Sequence, residues 1–193
     1  MNHSTNKPNE NIESFLISIE KRAFVMARTA TGDKEEALDI VQDTMIKLVT
    51  SYSNKDSSDW PPLFHRILQN KINDWHRRQK VRNTWRRWLG NGSNSNNGED
   101  DFRDSPLENK SSEQDQQPEQ ELGHLEFSQT LENAVTALPL RQKQAFMLRA
   151  WEEYSTRETS QIMSCSEGSV KTHYSRALAS LRTYLGKEFE VYL

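Results

Sequence analysis

The sequence has little of several residue types, and each scarcity excludes a class of protein. It contains a single cysteine, Cys165, so we expect neither an internal disulfide nor a cysteine-built zinc site. No run approaches the roughly 18 consecutive apolar residues of a membrane span, and the polar residues 1–14 do not resemble a signal peptide. Hydrophobic residues make up 34% of the chain, which favours small helical units over one large core. We therefore expect a cytoplasmic protein without direct membrane insertion.

Signatures of catalysis and of metal binding are also missing. No glycine-rich phosphate loop, paired nucleophile and base, or cluster of metal ligands stands out. His65 and His76 fall on one expected helix but about 16 Å apart along its axis, too far to share a metal. Cys165 is interpreted as a small, half-buried residue rather than a nucleophile. We predict no catalytic residue, no metal and no cofactor.

The acidic residues are concentrated in the middle of the chain. The net charge of -3 is the result of +4 over residues 1–88, -7 over residues 89–123 and 0 over residues 124–193. The middle segment is rich in Gly, Ser, Asn and Gln, and it cannot bury enough apolar surface to offset its ordering entropy. We predict that residues 89–123 form a flexible acidic linker, a solvated tether; folding back onto a basic face is the alternative.

Both flanks of the linker show helical periodicity, and no alternating run is long enough to indicate a strand. Helices are predicted over residues 13–28 and 35–50, and a third opens at Trp60, with prolines tolerated in its first turn. After the linker, helices are predicted over residues 125–137 and 139–151. The predicted fold is all-α: two small helical domains joined by the linker.

Residues 155–187 have the spacing of a helix-turn-helix. Ser155 and Glu158 form a capping box that starts a short helix ending near Met163. A three-residue turn follows, and Ser166 caps a longer helix. Ser160 is small, as expected where the two helices approach closely.

The longer helix carries a basic face suited to DNA. Residues 168–187 contain four basic residues and no acidic residue. Arginine can bridge a guanine edge with two hydrogen bonds, and serine and threonine reach bases or phosphates. Lys171 and Arg182 suit phosphate contacts. A merely solvated face is the alternative. The residues of this face and its flanks are Lys171, Thr172, His173, Ser175, Arg176 and Ala179.

A second basic segment, residues 66–88, holds eight Lys or Arg, one acid and three tryptophans. Cations interleaved with aromatic rings suit single-stranded or distorted nucleic acid. The polar loop at residues 52–59, tethered by Trp60, could wrap an unstacked base. We expect Trp75 to pack in the core. For Trp85 and Trp88, core packing and nucleic-acid contact both remain alternatives. Nucleic-acid contact is predicted for Arg77, Arg78, Lys80, Arg82, Arg86 and Arg87.

Three ordered segments resemble the extracytoplasmic-function (ECF) group of bacterial RNA polymerase sigma factors. They are EEALDIVQDTMIKL (35–48), LFHRILQNKINDWHRRQ (63–79) and LPLRQKQAFMLRAWEEYSTRETSQIMSCSEGSVKTHYSRALASLR (138–182). The resemblance implies region 2 at residues 10–88, for core polymerase and the −10 element, and region 4 at residues 124–187, for the −35 element. It implies a promoter-specificity subunit that is not itself an enzyme. Its implied partners are core RNA polymerase, promoter DNA and an anti-sigma factor, often membrane-anchored.

The resemblance also assigns roles to residues. Polymerase docking maps to Asp39, Gln42 and Asp43, with Met45 and Leu48 nearby. The −35 contacts map to the basic face of the last helix, with His173 included. In the family pattern Ser164 replaces the usual turn glycine, and Thr159 replaces an apolar residue. A helix-turn-helix regulator that acts without polymerase is the alternative function. The −10 contacts map to Ser53, Asn54, Lys55, Asp56, Trp60, Asn70, Arg77, Arg78 and Lys80.

Overall fold

The computed structural model describes residues 11–90 and 130–186, and all regular structure within those ranges is helical. This confirms the predicted all-α class. The predicted linker at residues 89–123 lies outside the described residues, except for its first two, which belong to the third helix. The chain packs as two units that divide inside that helix, between Trp75 and His76. The helices are α1 (Ile12–Thr31), α2 (Lys34–Tyr52), α3 (Trp60–Gly90), α4 (residues 130–136), α5 (Leu140–Phe146), α6 (Thr156–Met163) and α7 (Glu167–Leu185).

A tight corner joins α1 to α2 in the first unit. Gly32 ends α1 in the left-handed conformation, with φ 72°, and its N–H donates to the Arg28 carbonyl at 2.7 Å. Glycine adopts this conformation without the steric penalty of a Cβ. Asp33 then caps α2, since its Oδ1 accepts from the N–H groups of Glu35 and Glu36 at 2.8 and 3.0 Å. The corner therefore turns the chain so that α2 packs back against α1.

The core of the first unit forms where α1, α2 and the first half of α3 bury their apolar stripes. Phe15 of α1 packs against the rings of Trp60 and Phe64, each with a centroid distance of 6.0 Å. Gln69 of α3 donates through Nε2 to the Met26 sulfur at 3.1 Å. Trp75 is buried, as predicted. The buried apolar residues are Ile19, Ala23, Met26, Ala27, Ala30, Ala37, Ile40, Val41, Leu48, Trp60, Phe64, Leu68, Ile72 and Trp75.

In the second unit, α5 and α6 pack against the apolar face of α7. That face buries Val170, Ala177, Leu181 and Leu185, whose spacings of seven and four residues place them on one side of the helix. The guanidinium of Arg141 joins α5 to the end of α6, because its Nη1 donates to the Met163 carbonyl at 3.2 Å. The described apolar core on the other helices comprises Ala134, Val135, Leu138, Ala145, Phe146, Met147, Leu148, Ile162 and Met163.

One feature of the second unit departs from the predicted helix at residues 139–151. Its second half, Met147–Trp151, is a π-helical turn rather than a continuation of the α-helix. Glu153 follows with φ 55°, in the left-handed region. The wider turn changes which side chains face α6 and α7, and π-helical turns are frequently found at functional sites. Helical spacing predicts uniform α-helix, so the sequence pattern gave no sign of it.

Candidate nucleic-acid interface

The helix-turn-helix forms as its capping residues predict. The Oγ of Ser155 accepts from the Glu158 N–H at 3.2 Å, and the Glu158 carboxylate accepts from the Ser155 N–H at 2.8 Å. Hydrogen bonding of the Glu158 carboxylate by the side chain of Ser155, and then by its backbone N–H, lowers the pKa of Glu158. Ser166 caps α7 by accepting from the Ser169 N–H at 3.1 Å. The two helices therefore start at residues fixed by local hydrogen bonds.

The turn between α6 and α7 requires a left-handed residue at Ser164, with φ 52° and ψ 49°. This agrees with its place at the glycine of the family pattern. At the predicted close approach, Ser160 is half-buried, whereas the neighbouring Thr159 is fully buried. The Thr159 hydroxyl donates back to the Ser155 carbonyl at 2.8 Å, which satisfies it inside the core.

The face of α7 opposite the core is accessible. Lys171, Thr172, Ser175 and Arg176 are all exposed, and His173 is half-buried at the edge. Burial lowers the pKa of His173, and the nearby charges of Arg141 and Arg176 lower it further. The imidazole is therefore held towards its neutral form beside a cationic surface.

A cavity of about 310 Å³ flanks this face on the side of the π-helical turn. Its lining includes three cationic side chains, Arg149, Lys171 and Arg182. Arg149 donates through Nη1 to the Tyr154 carbonyl, and its guanidinium lies 5.7 Å from the centroid of the Tyr174 ring. Sequence reasoning missed Arg149, which lies in the π-helical turn after α5. The cavity is otherwise lined by Thr156, Val170, Tyr174, Ser175 and Leu178.

On α2, the predicted docking residues Asp39, Gln42 and Asp43 share one exposed face. The Asp43 carboxylate pairs with Lys71 of α3 at 2.6 Å, and the two side chains are 60% and 33% exposed. A partly exposed pair of this kind contributes little to stability, about 0–1 kcal/mol. Asp43 is therefore accessible, but it is also tied to α3.

The apolar residues near these acids fall into a buried group and an exposed group. Leu48 is fully buried in the core, and Met45 is half-buried. The exposed apolar side chains of α2 are instead Leu38 at 42%, Ile46 at 61% and Val49 at 39%. They lie beside the acids on the surface, so α2 presents a mixed acidic and apolar face. The spacing of apolar residues on a helix does not distinguish a stripe that packs in the core from a second stripe that is exposed.

The loop between α2 and α3 is short and held by its own backbone. The Lys55 N–H donates to the Tyr52 carbonyl at 3.0 Å, and the indole Nε1 of Trp60 donates to that same carbonyl at 3.2 Å. Trp60 is 6% exposed, which supports its role as a tether and corrects its assignment as a DNA contact, because its ring is enclosed by the core. The loop side chains that remain exposed are Ser53, Asn54, Lys55 and Asp56.

The predicted −10 residues of α3 are all exposed: Asn70, Arg77, Arg78 and Lys80. Asn70 and Arg77 are separated by seven residues and therefore lie about 20° apart around the helix. Arg66 is also exposed and was missed by the sequence assignment. It lies one turn before Asn70, about 40° from Asn70 and about 20° from Arg77 around the helix. Arg78 lies about 100° away, on an adjacent face. The side chains of Arg86 and Arg87 lie outside the described residues.

Three further features of the described residues concern metal binding, the cysteine and the membrane. Across residues 11–90 and 130–186 no group of three or more His, Cys, Asp or Glu side chains is placed to hold a metal ion. Cys165 is half-buried, and burial raises the pKa of its thiol. Among the helices of the described ranges, none combines the length and apolar character that crossing a membrane requires.

Two family models match the chain, one in its N-terminal part and one in its C-terminal part. Sigma-70 region 2 matches residues 16–82, and sigma-70 region 4 matches residues 128–181. The first contains α2, the loop and most of α3, whereas the second contains the whole of α6. No curated protein sequence matches the chain significantly.

Among solved structures, the sigma factor RpoE of Bartonella quintana, in complex with the anti-sigma factor NepR, has a similar fold. The TM-score is 0.63 at 19% sequence identity, and the match covers 92% of this chain and 98% of RpoE. At this identity the likeness concerns the fold, and the two family matches carry the assignment. The chain therefore belongs to the sigma-70 family, as an RNA polymerase sigma factor of the ECF type that pairs region 2 with region 4.

Proposed function

We propose a division of labour within this sigma factor, which directs core RNA polymerase to promoters. Residues 10–88 act as region 2 and contact polymerase and the −10 element. Residues 124–187 act as region 4 and read the −35 element. The observation that carries the proposal is the face of α7, where Lys171, Thr172, Ser175 and Arg176 are all exposed while the opposite face is packed in the core.

Region 4 is proposed to recognise duplex DNA through α7. Arg176 is the candidate for a bidentate contact with guanine, with Thr172 and Ser175 as shorter hydrogen-bonding neighbours. Lys171 and Arg182 contact phosphates, and Arg149 joins them because it lines the same cavity. The phosphate contacts fix the register of α7, and the base contacts supply the sequence preference.

Region 2 is proposed to dock on core polymerase through the mixed face of α2. Asp39, Gln42 and Asp43 supply its polar part, and Leu38 and Ile46 supply apolar contact area. A partner surface with cations beside an apolar groove would complement it. Such a face is also consistent with a monomer, because the exposed apolar groups are interleaved with charged ones.

The −10 element is proposed to lie along the loop and α3. The exposed loop residues Ser53, Asn54, Lys55 and Asp56 offer donors and acceptors to an unstacked base, whose extrusion costs a few kcal/mol. Asn70 and Arg77 continue the surface along α3, and Arg66 extends it by one turn before Asn70. Arg78 and Lys80 extend it on either side.

The remaining properties follow from this role. The protein performs no covalent chemistry itself and acts in the cytoplasm, where polymerase and promoters are found. An anti-sigma factor is the proposed regulator, since the structurally similar RpoE forms a complex with one. A DNA-binding regulator that acts without polymerase is less well supported, because region 2 is matched as well as region 4.

In vitro transcription with bacterial core polymerase on genomic DNA tests the proposal. We expect the purified protein to confer start-site selection and the Asp39→Arg variant to lose it through weaker binding to core polymerase. Asp39 is preferable to Asp43 for this test because Asp43→Arg would also remove the ion pair with Lys71. Glu20→Arg, an equal charge change at an exposed site on α1, is the matched control and should behave as wild type.

Two results would contradict the proposal in different ways. If wild type binds specific duplexes tightly but never redirects core polymerase, the polymerase-independent regulator is correct. If Asp39→Arg binds core polymerase as tightly as wild type, the assigned docking face on α2 is wrong while the function stands.

A further inference from the structure

The second half of α3 ends in two exposed tryptophans that the family match does not explain. Trp85 is 57% exposed and Trp88 is 74% exposed. The region 2 match ends at residue 82, before both of them. Large aromatic side chains left this accessible usually mark a surface that binds something.

The two indoles form an ordered pair. Their ring centroids are 5.7 Å apart, and the ring planes are nearly perpendicular at 87°. In this edge-to-face arrangement each ring fixes the other while substantial aromatic surface stays open to solvent. Rings held in this way lose little side-chain freedom when a flat ligand stacks on them.

The surroundings of the pair are cationic. Arg78 and Trp85 are seven residues apart, so their positions around the axis of α3 differ by only about 20°. Arg77 and Trp88 are eleven residues apart and are likewise within about 20° of one line, about 16 Å along the axis. Arg77, Arg78, Lys80 and Arg82 are all exposed. The side chains N-terminal to the pair therefore place positive charge in line with each ring.

We propose that Trp85 and Trp88 form a stacking platform for unpaired bases of the melted promoter strand. The inference rests on the proposed function, because it extends the −10 surface of α3 beyond the family match. Aromatic faces accept any base, and the arginines in line with them hold the phosphates of the same strand. The platform stabilises single-stranded DNA independently of its sequence, in addition to the base selected by the loop.

Charge decides between nucleic acid and a protein as the occupant. Docking of a partner helix would require several aliphatic side chains on this face. Among the described side chains beside the pair, Val81, at 52% exposed, is the aliphatic one. Residues 66–88 instead carry eight basic residues against one acid. This complements a phosphate backbone.

Anisotropy of a fluorescein-labelled oligothymidylate of about 12 nucleotides, titrated with the full-length protein, tests the platform. Trp85→Leu and Trp88→Leu keep an apolar side chain but remove the ring, and each should weaken binding by about 5-fold or more. Trp85→Phe and Trp88→Phe keep a stacking ring and should restore most of the affinity. Val81→Ala on the same face and Trp151→Ala in the second unit are controls and should bind as wild type. Binding should also weaken steeply with salt.

Three outcomes would overturn the inference. The first is a wild type that does not bind the oligonucleotide. The second is a pair of leucine variants that bind as well as the phenylalanine variants. The third is unchanged DNA affinity with reduced affinity for core polymerase, which would identify a protein-docking surface. Start-site selection measured on the same proteins separates the two proposals: if wild type selects promoters while the leucine variants keep their DNA affinity, only the platform is wrong.

Discussion

The turn of the helix-turn-helix offers a pair of substitutions with opposite expected effects. Ser164 adopts φ 52° and ψ 49°, and this lets the Cys165 N–H donate to the Ser160 carbonyl at 3.0 Å and close the end of α6. For most L-residues, Asn and Asp excepted, this conformation costs about 1–2 kcal/mol, whereas glycine adopts it without that cost. Glycine removes that strain but gains about 0.4–1 kcal/mol of conformational freedom in the unfolded chain. We expect Ser164→Gly to stabilise the second unit by about 0.5–1 kcal/mol.

Ser160→Gly is the matched control, since the same exchange falls inside α6. There the helical conformation suits any residue, so glycine should destabilise by about 0.5–1 kcal/mol. It also removes the hydrogen bond from the Ser160 hydroxyl to the Arg157 carbonyl at 2.7 Å. Both variants should bind −35 duplexes once folded, because neither alters the exposed face of α7.

Urea unfolding of the full-length protein, followed by far-UV circular dichroism, measures both effects. Leu181→Ala, which opens a cavity at a fully buried position, assigns the transition that belongs to the second unit. The reasoning would be supported if the two variants shifted the urea midpoint in opposite directions while the dependence of the unfolding free energy on urea concentration stayed the same. If Ser164→Gly lowered the midpoint as Ser160→Gly does, the turn would not be left-handed in solution and the strain argument would fail.

Three further predictions concern binding. In the charge-swapped Asp43→Lys/Lys71→Asp variant we expect a free energy of unfolding within about 1 kcal/mol of wild type but loss of core polymerase binding in a pull-down. Retained binding would mean that core polymerase binding depends on the ion pair rather than on the negative charge at residue 43. Lys171→Ala should weaken binding to all −35 duplexes equally and reduce the slope of log affinity against log salt by about 1. Arg176→Ala should instead cost about 1–3 kcal/mol of binding free energy and relax the preference at one base pair. Titrations of variant duplexes measure both effects. Burial and the charges of Arg141 and Arg176 lower the pKa of His173 in the free protein. Because DNA phosphates would offset the arginine charges and raise that pKa in the complex, binding should take up protons and tighten as the pH falls through the pKa of the bound state. His173→Ala should abolish that extra pH dependence, and an unchanged profile would place His173 away from DNA.

Much of the helical framework could be predicted because its signals are local. The capping box of Ser155 and Glu158, the N-cap at Ser166 and the buried stripe of α7 depend on residues three or four apart. A spacing rule detects such pairs, whatever else surrounds them. The exposure of Lys171, Thr172, Ser175 and Arg176 followed from the same rule, as the reverse of the buried stripe.

The errors in the candidate site arose where packing between helices decides. Trp60 was read as a DNA contact, but its ring packs against Phe15 across a long sequence separation. Ile46 and Leu48 are both apolar residues near the docking acids, but Leu48 is buried and Ile46 is exposed. Hydrophobicity alone does not say which of two apolar positions on a helix meets its neighbour.

The sequence by itself determined that the chain folds as helices, where most of them begin and end, and which family its motifs resemble, because these properties depend on local spacing and composition. Only the tertiary structure decided which residues are accessible. It brought Arg149 beside Lys171 through a π-helical turn, paired Asp43 with Lys71 across 28 residues, and left Trp85 and Trp88 exposed. Accessibility depends on the surfaces that other helices cover, and residues distant in the sequence supply those surfaces.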